Sequence, residues 1–201
     1  MRYEIELKNI TKRYDNKTIL DNISISLNNE HVYVLIGKNG SGKSTLLNII
    51  AKYDSNYDGV YKLNGLTTAY LLQDDLLFRN LSVKENLLLQ CIATNKEYSN
   101  TMKEVIEKLG LQNFLNKKIA ELSGGEKKKV SIGQVMLKKA DIILLDEPTS
   151  NIQKEYAKEL MDIILEVFEN KILVISSHDD LYQGDKIIRI ELNDGEINYG
   201  V

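Results

Sequence analysis

A glycine-rich stretch at residues 37–45 holds the first side chains that could do chemistry. It directly follows the apolar run Val32–Ile36 and reads Gly37-Lys38-Asn39-Gly40-Ser41-Gly42-Lys43-Ser44-Thr45. Glycines let the main chain take a positive φ and bring several N–H groups close to phosphate oxygens, with no Cβ in the way. A helix that opens directly after such a loop adds the positive end of its dipole. The stretch therefore predicts a site for the phosphates of a nucleotide.

The spacing of this stretch fits the phosphate-loop pattern GxxxxGK[ST], which stands between a strand and a helix. We predict that Lys43 reaches the β and γ phosphates and that the Ser44 hydroxyl binds Mg²⁺. The dinucleotide fingerprint GxGxxG is excluded, because Thr45 stands where its third glycine would be. The predicted nucleotide-binding residues of the loop are Gly37, Asn39, Gly40, Ser41, Gly42, Lys43, Ser44 and Thr45.

Two consecutive carboxylates, Asp146 and Glu147, follow the apolar run Ile142–Leu145. The run predicts a strand that is covered on both faces, and ligands of α/β proteins bind at the carboxyl ends of such strands. Hydrolysis of a nucleotide needs one carboxylate to hold Mg²⁺ through water and another to orient the attacking water. We predict the first role for Asp146 and the second for Glu147.

The segment Leu122-Ser123-Gly124-Gly125-Glu126 predicts a second anion-binding helix start. With this motif the sequence resembles the ATP-binding subunits of ABC transporters, whose signature is LSGGE or LSGGQ, and the resemblance extends from Leu7 to Gly200. It implies ATP and Mg²⁺ as ligands, and head-to-tail pairing with a second ABC ATPase domain in a homodimer or heterodimer. In that pairing the four residues after Leu122 contact the ATP that the phosphate loop of the other domain holds.

Three single residues match smaller motifs of the family, and the resemblance implies their roles. Tyr14 matches the aromatic residue that stacks on adenine, and a tyrosine ring is suited to stacking on a base. Gln73 matches the glutamine that contacts Mg²⁺ and the attacking water and links the sheet core to the helical insert. His178 matches the switch histidine near the γ-phosphate. The predicted catalytic residues are thus Glu147, His178 and Gln73. The predicted metal-binding residues are Ser44, Gln73 and Asp146.

The segment Leu76–Asn86 resembles the family region where a membrane subunit docks. An exposed Leu77-Phe78 pair would be a liability in a lone soluble protein, and a partner surface explains it. The alternative is that Phe78 packs inside the helical insert. The resemblance implies transmembrane permease subunits as partners and a location on the cytoplasmic face of the cell membrane.

Two departures from the family pattern bear on activity. Gln153 stands where the family has an aspartate that couples the two nucleotide sites, so coupling between sites is in question. Lys128 and Lys129 stand where the family has glutamine and arginine, and a lysine cannot reproduce the bidentate fork of an arginine. We still expect hydrolysis, because Lys43, Asp146 and the other main motif residues are present.

The composition limits the classes of function that the chain can have. A formal net charge of −3 gives no basic excess to neutralise a phosphate backbone, so we expect no nucleic acid partner. One cysteine and two histidines cannot form a cysteine/histidine metal cluster, and a lone cysteine is typical of a reducing cytoplasm. We expect no signal peptide, and no apolar run approaches the ~20 residues that cross a bilayer.

The apolar patterns predict the elements that must position these motifs. We expect an α/β fold of the P-loop NTPase class and ABC ATPase type, with a mainly parallel core sheet, an antiparallel β subdomain and a helical insert. A single domain covers residues 1–201: the core and its antiparallel part at 1–75 and 138–201, and the helical subdomain at 76–137. Predicted strands are Tyr3–Ile10, Ile23–Leu27, Val32–Ile36, Gly59–Leu63, Thr68–Leu72, Asp141–Leu145, Ile172–Ser176 and Lys186–Leu192. Predicted helices are Lys43–Ala51, Val83–Ile92, Asn100–Leu109, Gly125–Leu137 and Gln153–Glu169.

Two other functions remain open at this point. A non-transport ABC ATPase of the iron–sulfur assembly type would have a soluble scaffold partner in place of a membrane subunit. A degenerate module would hold ATP without turning it over, as Gln153 and the altered helix after the signature motif could indicate. We expect an ATPase subunit that powers transport.

Overall fold

The computed structural model of the chain describes residues 3–74, 76–94, 98–178 and 184–199. Three positions at which a predicted subdomain or the family resemblance ends lie outside the described residues. They are residue 75, Gly200 and residue 201. Contacts divide the chain into two compact units. Unit 1 comprises the described residues within 1–70, 141–148 and 170–201, and unit 2 comprises those within 71–140 and 149–169.

The elements of the described residues include runs of successive strands and of successive helices. They are β1 (Glu4–Tyr14), β2 (Lys17–Asn28), β3 (Val32–Ile36), α1 (Lys43–Ile50), β4 (Asp58–Lys62), β5 (Thr68–Leu71), α2 (Val83–Thr94), α3 (Tyr98–Lys108), α4 (Gly124–Lys138), β6 (Ile142–Asp146), α5 (Lys154–Val167), β7 (Ile172–Ser177), β8 (Ile187–Asn193) and β9 (Glu196–Tyr199). Short 3-10 turns lie at Gln112–Phe114 and Ile119–Glu121. Among the described residues, none of the helices combines the length and the apolar character that crossing a bilayer requires.

The antiparallel sheet of unit 1 has the strand order β2-β1-β4. Strands β1 and β2 are longer than the predicted strands Tyr3–Ile10 and Ile23–Leu27, so those bounds were wrong. The reason is a pair of irregular positions at Asn9 and Asn22, both with positive φ, where the register shifts and the alternation of apolar residues breaks. The Asn9 side chain donates a hydrogen bond to the Asn22 side chain at 2.7 Å, which pairs the two irregularities.

The core sheet has the strand order β5-β6-β7-β3-β8-β9. The pairs β6–β7, β7–β3 and β3–β8 are parallel, and β8–β9 is antiparallel. All residues of β6 and β7 are buried, as the continuous apolar runs predicted for strands covered on both faces. The carboxyl ends of β3, β6 and β7 therefore lie at one edge of the sheet, next to one another.

Unit 2 is built around α4, which contacts α2, α3 and α5. Gly133 lies at this crossing: a Cβ there would be 3.0 Å from Leu87, 3.1 Å from Leu109 and 3.2 Å from Val105. The helices can approach this closely because the position carries no side chain. One turn before Gly133, Lys129 of α4 forms an ion pair with Glu159 of α5 at 2.7 Å.

Candidate functional site

The loop between β3 and α1 depends on its glycines. Gly40 has a φ of 78° and Gly42 a φ of 106°, both in the left-handed region. A Cβ on Gly37 would lie 2.4 Å from the carbonyl oxygen of Leu192, and one on Gly42 would lie 2.8 Å from the Leu20 side chain. The neighbouring strands β2 and β8 thus press against the loop and fix its path.

The Lys43 side chain folds back into this loop. Its Nζ donates hydrogen bonds to the carbonyl oxygens of Gly37 at 2.7 Å and Lys38 at 3.1 Å, and only 5% of the residue is exposed. Burial lowers the pKa of Lys43, while the negative charges of Glu147 and Asp146 oppose that shift. The ammonium group is therefore bonded to the loop and interacts electrostatically with the two carboxylates at the end of β6.

Two hydroxyl groups hold the Asp146 carboxylate. The Tyr70 hydroxyl donates a hydrogen bond to Oδ2 at 3.1 Å, and the Ser176 hydroxyl donates one to Oδ1. Burial and the Asp146 charge raise the pKa of Tyr70, which keeps the phenol protonated as the donor. Tyr70 lies in β5 and Ser176 lies in β7. The two strands that flank β6 therefore orient the Asp146 side chain at the end of β6.

Glu147 follows Asp146 in an unusual backbone conformation and contacts His178. Its φ is 49°, and its backbone N–H donates a hydrogen bond to the Ser176 hydroxyl at 2.9 Å. A non-glycine residue in this region is strained, and such strain is found at functional sites. The Oε1 atom of Glu147 contacts Nε2 of His178. Unit 1 thus brings together four of the predicted site residues, Lys43, Asp146, Glu147 and His178.

A depression of about 380 Å³ opens beside His178 and the start of the phosphate loop. Residues of β8 that the sequence analysis did not predict, Glu191 and Asn193, form part of its wall. Its lining residues are Ile36, Gly37, Lys38, His178, Glu191 and Asn193.

Tyr14 lies at the end of β1, next to the turn of the β1–β2 hairpin. About half of the residue (48%) is exposed. Lys12 lies against its ring, and its hydroxyl donates a hydrogen bond to Asp54 at 3.1 Å. The contact between Tyr14 and Asp54 was not predicted, because Asp54 lies in the loop after α1, far from Tyr14 in sequence. The contact between Lys12 and the Tyr14 ring was not predicted either.

The signature segment forms the start of α4 in unit 2. Ser123 is the N-cap residue: its Oγ accepts a hydrogen bond from the Glu126 N–H at 3.3 Å, and its own N–H donates one to the Glu126 carboxylate at 2.7 Å. This capping box is a helix signal that the sequence analysis overlooked, although the S-x-x-E spacing was visible. A Cβ on Gly124 would lie 3.4 Å from the Asn151 carbonyl oxygen, so the signature adjoins the segment before α5.

Gln73 is exposed and belongs to unit 2. Its carbonyl oxygen accepts a hydrogen bond at 3.3 Å from Nζ of Lys128, a residue that is only 5% exposed. The lysine that replaces the family glutamine thus connects α4 to the Gln73 backbone. The side chain of Gln153, at the N-cap of α5, makes no capping hydrogen bond.

Phe78 is 60% exposed, and so the alternative that it packs inside the insert is wrong. Its loop is held by Asn86, which is fully buried: the side chain accepts a hydrogen bond from the Phe78 N–H at 2.9 Å and donates to the carbonyl oxygens of Phe78 and Ser82 at 3.2 and 2.9 Å. An apolar ring is therefore presented to solvent on a firmly bonded loop.

The residues present fit a phosphate-bearing nucleotide and Mg²⁺. Among the described residues, the buried Ser41 hydroxyl lacks a hydrogen-bond partner, and no side chain caps the start of α1. These donors are left for an anion, next to the Lys43 ammonium. The Ser44 hydroxyl is exposed at the same helix start, and a carboxylate such as Asp146 retains acceptor capacity beyond its two hydrogen bonds. Hydroxyl and carboxylate oxygens are ligands that Mg²⁺ prefers.

Fold and site together define a nucleotide-binding domain of the P-loop class. The family model "ABC transporter" matches residues 20–150, and the chain belongs to this family. It is similar to a crystal structure of a nucleotide-free ATP-binding cassette from an ABC transporter, with 25% identity, a TM-score of 0.85, and coverage of 100% of this chain and 91% of that chain.

Curated relatives include both exporters and importers. The chain is 32% identical to a macrolide export ATP-binding/permease protein of Neisseria meningitidis serogroup A, over 96% of this chain and 34% of that protein. It is 31% identical to the aliphatic sulfonates import ATP-binding protein of Bacillus subtilis, over 90% of this chain and 76% of that protein. The chain thus spans about a third of the length of the macrolide export relatives. The predicted fold class and the resemblance to ABC ATPases are confirmed.

Proposed function

We propose that the chain is an ATP-binding and ATP-hydrolysing subunit that powers transport across the cytoplasmic membrane. One observation carries the proposal: unit 1 places the Lys43 ammonium, the Asp146 carboxylate and the Glu147–His178 pair together at the end of parallel strands. This edge is where α/β proteins bind ligands. The family membership supports the same function.

The phosphate loop binds the polyphosphate of ATP in this proposal. The backbone N–H groups from Gly37 to Thr45 and the start of α1 surround the phosphates, and Lys43 exchanges its two carbonyl contacts for phosphate oxygens. Tyr14 stacks on the adenine ring. Binding at the loop neutralises the buried ammonium, which is otherwise costly to desolvate.

Hydrolysis depends on the residues at the ends of β6 and β7. Mg²⁺, when bound, neutralises charge on the phosphates, and Ser44 and Asp146 of unit 1 are the residues that would hold it. Tyr70 and Ser176 keep the Asp146 carboxylate in one orientation. Glu147 orients the attacking water and accepts its proton. His178 fixes the Glu147 side chain and lies near the γ-phosphate.

The signature motif acts on the ATP of a second domain in this proposal. Residues Ser123 to Glu126 would contact the nucleotide held by the phosphate loop of the paired domain, in a homodimer or a heterodimer. The capping box holds the serine at the helix start, where backbone N–H groups point outward and attract an anion. ATP favours the closed pair because only that state supplies both sets of contacts.

Transmembrane permease subunits are the proposed partners, and they would hold the chain at the cytoplasmic face of the membrane. The exposed Phe78, together with Leu76 at 70% exposure, is the apolar surface that supports docking. The relatives include an exporter and an importer, so the proposal does not specify the direction of transport or the cargo.

The test measures hydrolysis and association of the full chain together. The unmodified chain is expected to hydrolyse ATP in the presence of Mg²⁺. Glu147→Gln is expected to lose hydrolysis by at least about 10²-fold and to form an ATP-dependent dimer that small-angle scattering detects.

A second substitution separates the two parts of the proposal. Gly124→Asp in the Glu147→Gln background places a negative charge beside the signature serine and should abolish the dimer while ATP still binds. Full hydrolysis by Glu147→Gln would disprove the catalytic assignment. A dimer that persists in the Gly124→Asp variant would disprove the role of the signature. Absence of turnover in the unmodified chain would favour the degenerate module.

A further inference from the structure

Two side chains that the proposed function leaves without a role surround Tyr14. Nζ of Lys12 lies 4.7 Å from the centroid of the Tyr14 ring, although Lys12 itself is only 2% exposed. Asp54 accepts hydrogen bonds from the same Nζ at 2.9 Å and from the Tyr14 hydroxyl at 3.1 Å. Tyr14 is thus held at one face of its ring and at its hydroxyl.

The three groups form one closed cluster with the backbone of the loop after α1. Nζ of Lys12 also donates to the Asn56 carbonyl oxygen at 2.6 Å, and the Asn56 N–H donates to Asp54 at 3.0 Å. Burial would raise the pKa of Asp54, but the hydrogen bonds from Lys12, Asn56 and Tyr14 outweigh it and lower that pKa. Asp54 is therefore ionised at neutral pH, and the ion pair persists there.

A neighbouring ion pair shows what an ordinary surface contact of this strand looks like. Arg13 and Asp58 pair at 3.0 Å with side chains that are 54% and 78% exposed. The Lys12 and Asp54 side chains are 3% and 17% exposed. Burying a lysine is expensive, and a paired surface position would avoid that expense. The buried position puts the ammonium beneath the ring, where a cation is attracted to the π face.

The hairpin also links this ring to the phosphate loop. Lys12 of β1 is the register partner of Leu20 in β2, and the Leu20 side chain packs on Gly42 at the start of α1. Lys12 covers one face of the Tyr14 ring, and 48% of the residue is exposed. The exposed part of the residue leaves the ring accessible to a planar base.

We propose that Lys12 and Asp54 are positioning residues that fix the Tyr14 ring as the stacking platform for the adenine of the nucleotide. The inference rests on the proposed function, in which Tyr14 contacts the base. An unheld tyrosine at the end of a hairpin would lose side-chain freedom when a base stacks on it, and this loss weakens binding. The cation beneath the ring and the anchored hydroxyl remove that freedom before the nucleotide arrives.

The test compares two ligands that differ only in whether they carry a nucleoside. Dissociation constants of the full chain for ADP and for inorganic pyrophosphate are measured by calorimetry in Mg²⁺ buffer, where neither is turned over by this site. Lys12→Met keeps an unbranched side chain, one heavy atom shorter, without its charge, and Tyr14→Phe keeps the ring without its hydroxyl anchor. Each is expected to weaken ADP about fivefold and to change pyrophosphate less than about twofold.

Controls separate this inference from the proposal on which it rests. Arg13→Met removes one positive charge from the same strand and should leave the ratio of the two constants unchanged. Tyr14→Ala should weaken ADP more than Tyr14→Phe. If Tyr14→Ala weakens ADP while Lys12→Met and Tyr14→Phe do not, the positioning role is disproved and the base contact stands. If Tyr14→Ala leaves the dissociation constant of ADP unchanged, both the positioning role and the base contact of Tyr14 are disproved. Should Lys12→Met not fold, the exposed-site variant Tyr14→Phe decides alone.

Discussion

Nε2 of His178 contacts Oε1 of Glu147 where β7 and β6 end side by side. The contact fixes a carboxylate whose backbone is already held in a left-handed conformation by a hydrogen bond to Ser176. A general base must be oriented as well as present, since misplacement of about 1 Å is enough to slow a reaction substantially. We therefore propose a positional role for the imidazole, one that depends on sheet order rather than on local sequence.

Removal of this imidazole should slow hydrolysis without weakening nucleotide binding. His178→Ala is expected to lower kcat by about 10²-fold, because the Glu147 side chain loses its partner, and to change the dissociation constant of ADP less than about twofold. Steady-state hydrolysis and calorimetry measure the two quantities. Glu191→Gln, a change in the wall of the same depression, is the control and should keep kcat within about twofold. An unchanged kcat in His178→Ala would contradict the role.

A charge at Phe78 should disrupt partner binding and nothing else. Because the ring is 60% exposed, Phe78→Asp is expected to change the melting temperature by less than about 2 °C and to leave ATP hydrolysis unaffected. Co-purification with a transmembrane permease subunit should be lost. Val60→Asp, at a position of β4 that is 53% exposed, should retain co-purification. Retained co-purification in Phe78→Asp would exclude docking at this residue.

The parts of the site that could be predicted are those whose residues are contiguous in sequence. The phosphate loop and the pair Asp146–Glu147 follow apolar strands directly, so a strand, its turn and its chemistry are visible in one stretch. Tyr70 and Ser176 could not be predicted as partners of Asp146. Their contacts exist because β5 and β7 flank β6, and this strand order does not follow from a hydrophobic pattern.

Other errors arose where a local signal was interrupted or misread. The positive φ values of Asn9 and Asn22 break the alternation that defines a strand, and so β1 and β2 were predicted too short. The segment that holds Ser123 and Glu126 predicts an anion-binding helix start, and the spacing of these two residues is also that of a capping box. The bounds of the helical subdomain, predicted at 76–137, stay a prediction, while α5 belongs to unit 2 through its contact with α4.

Asn86 should be the main stabilising polar residue of the loop that presents Phe78. Asn86→Ala would remove the three hydrogen bonds of a fully buried side chain to Phe78 and Ser82 and would leave the Phe78 N–H without its partner, so we expect it to lower the free energy of unfolding by about 2–3 kcal/mol. Urea denaturation measures the difference. Asn100→Ala, at an exposed position of α3, should change it by less than about 0.5 kcal/mol. A similarly small effect of Asn86→Ala would show that the loop is held by other contacts.

Asp141 should make a contribution to stability that disappears in acid. Its carboxylate accepts hydrogen bonds from the backbone N–H of Thr67 at 3.0 Å and from the Thr67 hydroxyl at 2.8 Å, and the backbone bond is the main cause that lowers the pKa of Asp141 below its usual 3.8. The unfolded chain therefore binds the proton more readily than the folded chain. The stabilisation is complete above the unfolded pKa and is lost as the pH falls through 3.8 and below the folded pKa.

The comparison of Asp141→Asn with the unmodified chain isolates this contribution. At pH 7 the variant is expected to be about 1 kcal/mol less stable, because a charged acceptor is replaced by a neutral one. The difference should shrink towards zero as the pH falls through 3.8 and below the folded pKa of Asp141, since the unmodified carboxyl then also becomes neutral. Asp162→Asn, at an exposed position of α5, should differ by less than about 0.5 kcal/mol throughout. A gap for Asp141→Asn that stays constant with pH would mean that packing or geometry, and not charge, makes Asp141 stabilising.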